Sequence, residues 1–282
     1  MTDETIDRPG AEREPCRAAG VVGLGPLAAF FAGTFAVIWL TVLPLGPVVY
    51  VLGIVGQPTV VAFAVMALFF GRSGVARLWR AGTRYRVGWA WYALVMLLPG
   101  LAAGAGWLAM SGFGSEMSSR DPVILAVVSG LLAGILEEFG WSGVAFPTLQ
   151  ARFGFLRAGV LLGVIWGLWH LPALFASEPS LRAHFSFIPF LLMVIPLRIL
   201  LGWVYNGTGG SVFLPVLFHA SFNAWNAVVL GPNVAANTGW LVQTLVLVAV
   251  VMIVMAKHGA AVDRTNHDDV YRPATIISPS PR

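Results

Sequence analysis

Apolar residues gather in eight runs, separated by short polar stretches or by stretches rich in glycine and proline. The runs cover 24–43, 48–70, 87–110, 122–150, 158–176, 187–205, 211–230 and 239–256. An α-helix needs roughly 20 such residues to cross a hydrocarbon layer about 30 Å thick. None of the runs shows the alternation in segments of about 10 residues that marks a membrane barrel. The pattern predicts an all-α polytopic membrane protein with about eight transmembrane helices. Leu43-Pro44-Leu45-Gly46-Pro47 predicts the reversal between the first two spans, and Asn206-Gly207-Thr208-Gly209-Gly210 a tight turn before the seventh. The head at 1–20 and the tail at 257–282 are polar and expected to be disordered. They leave 21–256 as the membrane domain.

Charge orients these spans. Only 11% of residues are charged, against about 25% in soluble domains. Half of those charges lie in the head and the tail. The stretch 71–86 carries Arg72, Arg77, Arg80, Arg84 and Arg86 without an acid, so it reads as a cytoplasmic loop. With eight spans, both termini then fall in the cytoplasm, and Arg152, Arg157 and Lys257 fall on the same side. A multi-pass protein of the cell membrane follows, with the lipid bilayer as its surroundings. No surface combines clustered Lys/Arg with aromatics, so a nucleic-acid partner is not expected. Cys16 is the one cysteine and permits no intrachain disulfide.

The polar exceptions inside the spans carry the chemistry. Between Pro122 and Pro147 the polar side chains are Ser129, Ser142 and the adjacent pair Glu137 and Glu138. A charge at mid-bilayer costs on the order of 2.5–3.5 kcal/mol, and such groups face a bundle interior or a wet cavity. His170 lies in the fifth run, and His219 and Asn223 in the seventh. His219 and Asn223 are four apart and share a helix face. Glu137 and Glu138 diverge by about 100°, so only one points squarely at a common site unless the helix is distorted. Residue counts at 1.5 Å per residue put His170 and Asn223 about 18 Å from the inner end of their spans and His219 about 12 Å. A hairpin between the fourth and fifth runs is centred at Phe153/Gly154, which sets Glu137 level with His170. Glu with two His and an Asn is a hydrolytic set. The carboxylate takes a proton from water, and His and Asn orient water or donate to an oxyanion. Glu137, His170 and His219 are also a feasible zinc ligand set, so metal-assisted and metal-free routes both stay open. Arg198, the one cation deep in a span, is expected to pair with Glu138.

Three motifs resemble one family, the CAAX prenyl protease and bacteriocin-processing (CPBP, or Abi) intramembrane proteases. They are Glu137-Glu138-Phe139-Gly140-Trp141-Ser142, Trp166-Gly167-Leu168-Trp169-His170 and His219-Ala220-Ser221-Phe222-Asn223. The turn at 206–211 is also similar, and the resemblance covers 122–230. Ser142 stands where the family often has Arg, and Trp166 where Phe is usual. The resemblance implies an endopeptidase that cleaves a membrane-associated protein or peptide. It gives Glu137 and His170 the activation of water, and His219 and Asn223 the oxyanion or a metal. Glu138, with Arg198 and Ser142, takes a supporting part. Two other readings fit the residues: a non-catalytic immunity or partner-binding protein on the same scaffold, which Ser142 favours, and a proton-coupled transporter using the two Glu.

Overall fold

A computed structural model describes residues 22–111, 123–172, 187–230 and 237–259. The head at 1–20 and nearly all of the tail lie outside them, as do the outer loops expected at 111–121 and 177–186, apart from Ser111. The described elements are helices: α1 Leu24–Gly82, α2 Trp89–Ser111, α3 Val123–Gly140, α4 Phe146–Phe153, α5 Phe155–Trp169, α6 Phe187–Gly207, α7 Phe213–Trp225 and α8 Asn237–His258. Wider π-helical turns continue α3 at Trp141–Ala145 and α7 at Asn226–Leu230. Among the described residues, six helices are long and apolar enough to cross a membrane. Two shorter apolar ones, Leu24–Trp39 and Phe155–Trp169, complete the eight expected runs. The all-α expectation is borne out, and the chain is a multi-pass membrane protein.

The reversal expected at 43–47 lies within α1, whose helical backbone continues through it. A Cβ on Gly33 would lie 3.0 Å from Val61, and one on Gly25 4.0 Å from Phe69. Both pairs are centred on Pro47, whose missing N–H weakens the helical ladder at that point. The arginine stretch does need correction, because it is helical as far as Gly82 rather than a loop. Gly71 deflects the helix with φ +58°, a conformation glycine adopts without steric cost. Beyond it Leu78 and Ala81 bury, while Arg72, Trp79 and Arg80 stay outside. The apolar contacts keep the turn helical despite its charge. The fourth span continues past Pro147. The helical pattern shifts just before it, where the Phe146 N–H donates to Trp141 O. Helix then runs on to Phe153.

Glycines set how closely the central helices approach. Gly130, Gly134 and Glu138 recur every four residues and share one face of α3. A Cβ on Gly130 would meet Ala220 O at 2.5 Å, and one on Gly134 would meet Val216 O at 2.4 Å. The backbone of α7 therefore rests on bare α3, and His219 is carried to Glu138. On α5, Gly159, Gly163 and Gly167 face Ile199, Ile195 and Leu191 in antiparallel register, which carries Arg198 to Trp166. Gly154 separates α4 from α5 with φ +76°, at the reversal point expected from the hairpin. Gly134→Ala places a methyl where a carbonyl already sits. Such overpacking typically costs about 1–3 kcal/mol, and the thermal midpoint in detergent is expected to fall accordingly. An unchanged midpoint would show that this approach does not hold α3 on α7.

Candidate active site

The site is built where α3, α5, α6 and α7 meet. Glu138 lies on the glycine face of α3 and is fully buried. Arg198 of α6 reaches it with both arms, Nη1 to Oε2 at 2.8 Å and Nη2 to Oε1 at 2.9 Å. A paired fork of this kind matches a carboxylate in direction as well as charge. Ser142, one turn along from Glu138, donates its hydroxyl to Oε2 and lies 3.4 Å from Arg198 Nη1. The guanidinium thus comes from a different helix than the motif position at Ser142 would supply. His219 of α7 adds a fourth contact, Nδ1 to Glu138 Oε1 at 2.9 Å.

Glu137 turns to other neighbours. Its Oε2 accepts the indole N–H of Trp166 at 2.8 Å and that of Trp141 at 3.3 Å. Adjacent glutamates therefore serve two partners sets: Glu138 faces α6 and α7, and Glu137 faces α5 and the π turn of its own helix. No distortion before Glu137 is needed, because the divergence of about 100° separates the two environments. His170 caps α5. Its backbone N–H donates to Gly167 O at 3.1 Å, and its ring Nδ1 lies 2.8 Å from Trp166 O. A carbonyl only accepts, so Nδ1 carries the proton and Nε2 keeps its lone pair.

One pattern repeats across the three groups. Each is anchored through one atom, namely Glu137 Oε2, His170 Nδ1 and His219 Nδ1. Among the described residues, Glu137 Oε1, His170 Nε2 and His219 Nε2 have no hydrogen-bond partner. Trp166 lies between them, its ring centroid 5.7 Å from that of His170 and 5.3 Å from that of His219. Arg198 Cζ sits 4.2 Å over its face, a cation–π distance. Asn223 lies one turn beyond His219 on α7 and is half-buried. No described residue hydrogen-bonds its side chain, and it stands apart from the glutamate network. Among the described residues no three His, Cys, Asp or Glu side chains group closely enough to hold a metal ion.

Sequence reasoning missed the indole donors. Trp141 is four residues from Glu137, a spacing that puts both on one helix face, so half of that pair was within reach. Trp166 stands in the sequence only as a motif position, because a partner across helices leaves no mark in spacing.

A family model described as type II CAAX prenyl endopeptidase Rce1-like matches residues 119–225. A protein from Methanococcus maripaludis named CAAX prenyl protease 2 is 34% identical over 98 residues, which are 33% of this chain and 36% of that relative. The match thus spans little more than a third of the relative's length. Every residue of the network just described falls within the family-matched segment. The resemblance first carried by three short motifs is borne out: residues 119–225 match the type II CAAX prenyl endopeptidase Rce1-like family model.

Proposed function

We propose that this protein is an intramembrane endopeptidase that hydrolyses a peptide bond of a membrane-associated protein or peptide. Glu137 Oε1 removes a proton from water, and His170 Nε2 orients that water. The hydroxide oxygen bonds to the carbonyl carbon, and the carbonyl electrons move to its oxygen. His219, held through Nδ1 by Glu138, turns its Nε2 to this oxyanion, and Asn223 donates its amide. Collapse breaks the C–N bond, and Glu137 returns its proton to the leaving amine. Glu138, Arg198 and Ser142 hold His219 in place. Both termini face the cytoplasm of the cell in this reading, which added protease reads as tail cleavage in inside-out vesicles. The observation that carries the proposal is the shared pattern of the three groups, each anchored through one atom with its reactive atom left free.

The relative's name makes a prenylated CAAX peptide the first substrate to try. Purified full-length protein in proteoliposomes is expected to cleave such a peptide, with less than about a twofold change on adding a strong metal chelator. Loss of activity on chelation, restored by zinc, would shift the chemistry to a metal on His170, His219 and Glu137. A failure to cleave any peptide in a broad panel would favour the non-catalytic scaffold instead. The pairing of Arg198 with Glu138 argues against that second reading, since it supplies the cation that Ser142 leaves out.

A further inference from the structure

Two departures from the family pattern meet at one side chain. Trp166 stands where Phe is usual, and Arg198, which takes over from the missing arginine at Ser142, lies across its ring. Trp166 touches four members of the site: Glu137, His170, His219 and Arg198. It contacts Glu137 through its indole N–H, His170 through its carbonyl, His219 through its ring edge, and Arg198 through its face. Arg198 in turn holds Glu138. A phenylalanine keeps the face, the edge and the carbonyl, but has no N–H to donate. What this chain gains from its tryptophan is one hydrogen bond, on Glu137.

We propose that Trp166 is a positioning residue that sets the separation of Glu137 and His170, its indole N–H fixing the first and its carbonyl the second. Both anchors belong to one residue, so the two groups cannot drift apart independently. The ring is 3% exposed and backed by Arg198, so the indole has one orientation in which to donate. The donor also selects which carboxylate oxygen stays free. With Oε2 bound to Trp166 and to Trp141, Oε1 is left as the proton acceptor. Arg198 thereby serves both glutamates, Glu138 by charge and Glu137 by bracing the tryptophan that holds it.

This inference rests on the peptidase reading for its kinetic consequence but not for its geometry. Trp166→Phe deletes the N–H and keeps the packing. In the full-length protein it is expected to lower kcat roughly 10- to 100-fold, the scale of a misplaced reacting group, with KM within about twofold. A residue that only packs would instead lower the thermal midpoint and leave kcat per folded molecule unchanged. That result, alongside an inactive Glu137→Gln, would overturn the proposal while leaving the peptidase reading intact. Infrared difference spectra decide the geometry without any turnover. The carboxyl band that vanishes in Glu137→Gln is expected to shift in Trp166→Phe and to stay in place in a Trp79→Phe control on the exposed surface. A band unmoved by Trp166→Phe would refute the hydrogen bond and the proposal with it, whether or not a substrate is known.

Discussion

Glu137→Gln is expected to reduce peptide cleavage by about 10²- to 10⁴-fold, the range that a positioned general base contributes. The substitution isolates the chemistry from the fold. Its amide oxygen accepts the Trp166 and Trp141 N–H groups as the carboxylate oxygen does, and its volume is nearly that of glutamate. The amide nitrogen then occupies the position of Oε1, where it donates and cannot remove a proton from water. Folding does not suffer, because a buried carboxylate is exchanged for a neutral group in an unchanged network, so the thermal midpoint should hold or rise. Initial rates in proteoliposomes, normalised to folded protein, measure the effect. A Glu137→Gln protein that cleaved at the wild-type rate would remove Glu137 as the base and with it the proposed mechanism. Glu137→Asp adds a graded check. Its shorter arm draws the carboxylate away from the Trp166 N–H, so activity should fall between those of the wild type and Glu137→Gln.

The fold was legible in hydropathy because a membrane imposes length. Each of the eight apolar runs has its helix in the structure, and the reversals expected near Pro47 and Gly154 fall where proline and glycine were read. Hidden from hydropathy was structure made by packing against charge: residues 73–82 look like a loop by their arginines, yet Leu78 and Ala81 keep them helical. The site was legible as a set of polar residues at one depth. Its wiring was not. Depth counting set Glu137 level with His170, and His219 about 6 Å nearer the inner end, but it carries no information about which oxygen faces which helix. The glycines that decide this, Gly130 and Gly134 on α3 and the three on α5, read in sequence as ordinary small apolar residues. Only once α7 and α6 press into them do Glu138 meet His219 and Trp166 meet Arg198.

Arg198→Met is expected to destabilise the protein by about 3–5 kcal/mol, the usual cost of removing one partner from a buried ion pair. Both side chains are fully buried, so no water reaches the abandoned Glu138 carboxylate. Its remaining donors are Ser142 and His219. The loss is therefore one of uncompensated charge rather than of packing, since methionine fills much of the arginine stem. Three companions separate these causes. Arg198→Lys keeps the charge but offers a single ammonium in place of the fork, and should recover only part of the stability. Arg198→Met with Glu138→Leu removes both charges, and buried pairs replaced by apolar residues are commonly neutral or more stable. The double variant should therefore unfold near the wild-type midpoint while losing activity, because His219 loses its anchor. Ser142→Arg with Arg198→Ser returns the cation to the helix where the family often carries it. It should regain stability over Arg198→Met, since the Ser142 hydroxyl already lies 3.4 Å from the guanidinium. Its activity should stay low, because an arginine rooted on α3 no longer braces the face of Trp166. Thermal unfolding and cleavage assays on the four proteins give a matrix in which stability follows charge balance at Glu138 and activity follows the position of the cation. If Arg198→Met unfolded within about 1 kcal/mol of the wild type, the bridge would not organise the site, and the stability attributed to it would have to lie in the glycine-mediated packing of α3 on α7 and α5 on α6.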